Sequence, residues 1–135
     1  MSTPNTTKIT RFEELPVYTL AEELADEIWV VVKRWDKFAQ SSIGQQIVRS
    51  ADNVGANLAK STGRETVEAQ RQIVRLARGE LYETRHWLRR AYRRKLLTHE
   101  ETHTLKTLLD SLVPELNTYI ESIGQLDSSD VIDDK

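Results

Sequence analysis

Thr66 to Lys95 reads TVEAQRQIVRLARGELYETRHWLRRAYRRK. The stretch has no Pro and one Gly, and Ile73, Leu76, Ala77, Leu81, Trp87, Leu88 and Ala91 recur at helical spacing. That spacing predicts one helix over about 66–95, roughly 45 Å long at 1.5 Å per residue. Arg71, Arg75, Arg78, Arg85, Arg89 and Arg93 then share one side of it, within an arc of roughly 80° at about 100° per residue. Like charges stacked at i and i+4 repel and weaken an isolated helix. A group outside the helix must therefore compensate them, and the nature of that group is the functional question.

Working outward, the flanking segments share the same periodicity. Val17, Leu20, Ala21, Leu24, Ile28, Val31, Val32 and Trp35 predict a first helix over about 16–37, with Pro16 tolerated in its first turn. Ala39 to Ser42 reads as a connection, and Ser42 with Gln45 matches a capping box. A second helix follows, with Ile43, Ile47, Ala51, Val54 and Leu58 on one face. Gly55 inside it costs about 1 kcal/mol relative to Ala, which predicts close helix packing there, and Gly63 is a stop signal. Thr98 and Glu101 form a capping box for a fourth helix carrying Leu105, Leu108, Leu109, Leu112, Leu116, Tyr119, Ile120 and Ile123. Pro114 is expected to kink or interrupt that helix, and Gly124 to end it. The expected fold is all-α, an antiparallel up-down four-helix bundle over residues 12–124. Residues 1–11 read as a flexible arm and residues 125–135 as an acidic disordered tail.

The 135 residues suit one domain with a modest core, and 5 Gly with 3 Pro argue against a turn-rich β fold. The absence of cysteine excludes disulfides and thiolate metal sites. No signal-peptide pattern or membrane-length apolar run is found, so a soluble, cytoplasmic protein is expected. The net charge of -2 conceals an asymmetry: Arg64–Lys95 carries +6 and Thr98–Lys135 carries -7. A basic segment followed by an acidic one can neutralise itself within or between subunits.

Two stretches resemble a known family. Phe12-Glu13-Glu14-Leu15-Pro16-Val17-Tyr18 is similar to the Phe-Glu-Asp-Leu-x-Val-aromatic opening of the four-helix-bundle 23S ribosomal RNA intervening-sequence proteins. The run from Gln46 to Arg64, QIVRSADNVGANLAKSTGR, resembles that family's Gln-Ile-Arg-Arg-Ala-Ala-x-Ser-Ile-Pro-x-Asn-Ile-Ala-Glu-Gly-x-Gly-Arg. Ala77, Gly79, Leu81, Tyr82 and Glu83 fit its third-helix pattern. Gly55 stands where the family often has Pro, Asn53 where it has Ser, and Lys60-Ser61 where it has Glu-Gly. The resemblance implies an up-down bundle that assembles as a homopentamer and has no known enzymatic activity. It also implies a related branch, the accessory proteins of diversity-generating retroelements, whose partners are nucleic acid and a reverse transcriptase.

The arginine face has three readings. It can hold phosphates of RNA or DNA, with Tyr82 in the middle of the stripe stacking on a base. It can pair with carboxylates of another helix or subunit, or it can be a plain solvated face. Arg rather than Lys throughout favours the first two, because the planar fork binds phosphate or carboxylate bidentately. A second polar line, Arg49, Asn53, Asn57, Lys60 and Arg64, runs along the second helix. It reads either as satisfying buried or subunit contacts or as lining a groove or pore. His99-Glu100-Glu101-Thr102-His103 matches the zinc-protease pattern His-Glu-x-x-His. It sits in a first helical turn, has a charged Glu101 where such helices are packed, and lacks an evident third ligand, so no metal is assigned. His86 reads as solvated, and Trp29, Trp35 and Trp87 as core or interface anchors. No cofactor and no catalytic nucleophile is expected.

Overall fold

A computed structural model describes residues 11–133, with side chains as far as Ile123. The N-terminal arm, apart from Arg11, and the last two residues of the tail lie outside the described residues. A single 3-10 turn, Phe12–Glu14, leads into α1, Pro16–Lys33. Helix α2 is Gln45–Ser61, α3 is Val67–Arg93 and α4 is His99–Asp133. The described residues form no strand.

The first connection differs from its expected form. Helix α1 ends at Lys33 rather than near 37, and the chain is already helical again at Lys37–Ala39. Asp36 causes this, because its carboxylate accepts from the Ala39 amide at 2.8 Å and caps the new turn. Ser42 caps nothing; its hydroxyl donates back to the Phe38 carbonyl at 2.6 Å, so the Ser42–Gln45 box does not form. The turn widens into a π-helical segment, Gln40–Gly44, before α2 begins. The Gln40 side-chain amide donates to the carbonyls of Val32 and Lys33 at the end of α1. A Cβ at Gly44 would lie 3.0 Å from both the Ala39 carbonyl oxygen and Val32 Cγ1, so glycine lets this turn seat on α1 without displacing either.

The other helix ends follow local rules. Thr66 Oγ1 accepts from the Ala69 amide at 3.0 Å and starts α3. Thr98 and Glu101 form both halves of their capping box, at 3.1 and 2.9 Å. Helix α3 stops in a Schellman motif: the Leu96 amide reaches the Ala91 carbonyl and the Lys95 amide that of Tyr92. Lys95, rather than a glycine, takes the left-handed position there, with φ 62°. Helix α4 departs from expectation twice. It runs through Pro114 without interruption, and Asp110, whose carbonyl Pro114 cannot bond, is an exposed residue. It also continues past Gly124 to Asp133; a helical glycine costs only about 1 kcal/mol and no proline follows it.

Short connections fold the helices back on one another, and each seam has a cross-link. Tyr18 lies against Gly55 between α1 and α2; a Cβ there would meet Tyr18 Cε1 at 3.3 Å, which is the close packing that the mid-helix glycine anticipates. Ser50 and Thr84 hydroxyls meet at 2.8 Å between α2 and α3. Arg78 bonds Asn117 at 2.9 Å between α3 and α4. Arg34 pairs with Glu101 between α1 and α4, and Trp35 Nε1 donates to the Leu96 carbonyl at 3.0 Å, closing that end. Each helix sends an apolar stripe inward: Leu24 and Ile28, Ile47 and Leu58, Val74 and Leu81, Leu112 and Leu116 are fully buried. Trp35 is core, Trp87 is half-buried, and Trp29 is 54% exposed rather than buried in the chain.

Candidate nucleic-acid interface

Helix α3 packs between α2 and α4, and its two flanks differ in chemistry. On the α2 flank Arg49 forms ion pairs with Glu80 (3.6 Å) and Glu83. Glu83 also accepts from Trp87 Nε1 at 3.0 Å, and the His86 ring sits edge-on to Trp87. The hydrogen bond from Trp87, together with the charge of Arg49, holds the Glu83 carboxyl below its ordinary value, against a smaller opposing effect of burial. The buried Ser50–Thr84 pair lies on the same flank: Thr84 donates to the Glu80 carbonyl at 2.9 Å and accepts from Ser50. The polar line of α2 therefore divides. Arg49 is used in this seam, Asn57 is buried, Asn53 is half-buried, and Lys60 and Arg64 are exposed.

The arginine stripe occupies the other flank. It lies not opposite the core but beside it. At about 100° per residue its centre is roughly 90° from the buried line through Val74, Ala77, Leu81 and Leu88. This places it along α4, as the Arg78–Asn117 bond shows. Arg75, Arg85, Arg89 and Arg93 are exposed, while Arg71 and Arg78 are half-buried. Among the described residues none of the six pairs with a carboxylate. Arg93, in the last turn of α3, gains from the negative end of the helix dipole. Tyr82 stands within the stripe and is 46% exposed.

Past the middle of the stripe, the α3–α4 seam opens into a groove of about 920 Å³. Arg85, Arg89 and Tyr92 border it from α3, and His99, Thr102, His103 and Lys106 from α4. Leu88, Leu97, Leu105 and Leu109 give it an apolar floor. Tyr92 and Lys106 are absent from the sequence-derived site. Tyr92 was legible as three residues beyond Arg89 on the α4-facing flank; Lys106 was not, because nothing local says which helix adjoins the stripe.

The acidic counterpart is on α1, across the bundle. Glu23, Asp26 and Glu27 border a second groove of about 530 Å³ that reaches His103. Burial, and then the neighbouring charge of Asp26, raise the Asp52 carboxyl on α2. Burial first, then a hydrogen bond to Glu22, raises the Tyr18 phenol. His99 and His103 are both exposed, and among the described residues no group of three His, Asp or Glu side chains could hold a metal. No helix among them is long and apolar enough to cross a membrane.

The fold and its flanks define a class: a four-helix bundle whose third helix is bonded to the core on one side and carries uncompensated guanidinium groups on the other. The family model for the 23S rRNA-intervening sequence protein matches residues 13–118. The chain belongs to that family, and the match covers nearly all of the bundle. No curated protein matches it.

Proposed function

We propose that this is a non-enzymatic, self-associating bundle that binds RNA or DNA through the arginine stripe of α3. The observation that carries the reading is the contrast in pairing. Arg34 and Arg49 meet carboxylates of neighbouring helices, whereas none of the six stripe arginines does among the described residues. Guanidinium groups in a row are complementary in charge and hydrogen bonding to a phosphate backbone. The family's name, which refers to ribosomal RNA, agrees with a nucleic-acid setting. Titration of the full chain with structured RNA and with single-stranded DNA, at low and moderate salt, tests the reading. Low-micromolar or tighter binding that weakens with salt is expected; no binding, or binding indifferent to salt, rejects it.

A second reading has its own observation. The exposed carboxylates of α1, Glu22, Glu23 and Asp26 among them, offer complementary charge to a stripe on a neighbouring copy. Exposed Trp29, Val30 and Phe38 supply apolar area for such a ring, with a pentamer as its expected form. Charge reversal at Arg78 and Arg85 separates the two. Loss of the oligomer assigns the stripe to the ring; loss of nucleic-acid binding by an intact oligomer assigns it to phosphate.

A further inference from the structure

The groove beside the stripe says what form of nucleic acid suits it. Its floor is Leu88, Leu105 and Leu109, and one wall is Tyr92, which is 52% exposed. Arg85 and Arg89 stand on the α3 rim, one helical turn apart. A duplex keeps its bases stacked inside and offers a surface like this only phosphate and sugar. An apolar trough with an aromatic wall would contribute nothing to such a contact. An unpaired nucleotide has the complementary chemistry, a flat base joined to phosphate, and aromatic side chains beside a basic track are how single strands are held. The volume of about 920 Å³ falls within the roughly 300–1,000 Å³ typical of sites for small organic groups.

Resting on the phosphate reading of the stripe, we infer that the groove takes an unpaired base of a single strand, with the base against Tyr92 and the leucine floor and its flanking phosphates on Arg85 and Arg89. The carboxylates on the rim fit this arrangement. Asp110 is bonded to Lys106 at 2.8 Å. Glu100, which has no partner among the described residues, can only accept hydrogen bonds and so favours an amino group on the base edge.

The test uses the full chain, a labelled single-stranded oligonucleotide and the blunt duplex of the same sequence, with Tyr92→Ala and Tyr92→Phe beside the wild type. The single strand should bind at least tenfold more tightly than the duplex. Tyr92→Ala should lose roughly tenfold on the single strand, the usual scale for one stacked base, and nothing on the duplex; Tyr92→Phe should behave as wild type. A 2-aminopurine placed in the strand should be quenched by the wild type, which checks the contact independently of any variant. Equal affinity for the two forms, or a Tyr92→Ala loss shared by both, overturns the groove while leaving the phosphate reading standing. No binding to either form overturns both. A drop in oligomer mass for Tyr92→Ala, read by sedimentation, would give the groove to a neighbouring copy and also overturn the inference.

Discussion

The two flanks of α3 use the same residue types for opposite ends. Toward α2, Arg49, Glu80, Glu83, Trp87, Ser50 and Thr84 are bonded to one another across the seam. Toward α4, six arginines find no carboxylate among the described residues and one of them, Arg78, finds an amide. A charge with a partner helps to specify a fold; an exposed charge without one costs repulsion and is available to a ligand. The comparison teaches that the α2 flank serves packing while the α4 flank is left open, as the proposed nucleic-acid contact requires, and substitutions can break it on either side.

The largest effect is expected on the α4 flank. Arg85→Glu with Arg89→Glu should weaken nucleic-acid binding by roughly 100-fold, since each charge-assisted contact is worth about 1.5–3 kcal/mol. The thermal midpoint should not fall, because neither side chain holds the fold. A lowered midpoint would make the flank structural and cancel the contrast. Next, on the α2 flank, Thr84→Val removes one member of a fully buried hydroxyl pair. It leaves Ser50 with only the 3.3 Å bond to the Ile47 carbonyl. Urea unfolding should show a loss of roughly 1–2 kcal/mol, with binding unchanged.

Gly79→Ala probes the space between the flanks. Nothing lies within 4 Å of where its Cβ would be, so the helix should gain about 1 kcal/mol without loss of affinity. The smallest effect is at Glu83→Gln, which is expected to cost under about 1 kcal/mol at neutral pH because its partners are partly exposed. The folded Glu83 carboxyl titrates below its ordinary value of 4.5. Its contribution is therefore complete above that unfolded value and disappears as pH falls through the lower folded one. The stability gap between wild type and Glu83→Gln should close as pH drops below about 4.5; a gap that widens there would refute the assignment.

Much of this architecture was legible in the sequence where one residue settles the matter locally. Thr66 and Thr98 cap as their neighbours dictate, Gly55 marks the tight α1–α2 contact, and the arginine arc follows from helical geometry alone. Competing local signals were harder to read. Ser42 looks like a cap, yet Asp36 takes that role and Ser42 bonds a carbonyl one turn back. Gly124 and Pro114 both carry stop signals, and neither stops α4. Pairings between distant segments had no local signature at all. Nothing near Arg49 announces Glu83, and nothing near Tyr92 announces the α4 leucines that turn a charged stripe into the edge of a groove. Trp29, apolar and at helical spacing, reads as an anchor and stands in solvent in the single chain.

The central claim is that stripe arginines hold phosphate while Arg49 holds the bundle. The most direct measurement is the salt dependence of single-strand binding for wild type, Arg89→Ala and Arg49→Ala. The account predicts a linear fall of log affinity with log salt, with a slope smaller by roughly 0.7–1 for Arg89→Ala and unchanged for Arg49→Ala, which loses stability instead. Equal slopes for wild type and Arg89→Ala, or a slope reduced only by Arg49→Ala, would contradict it.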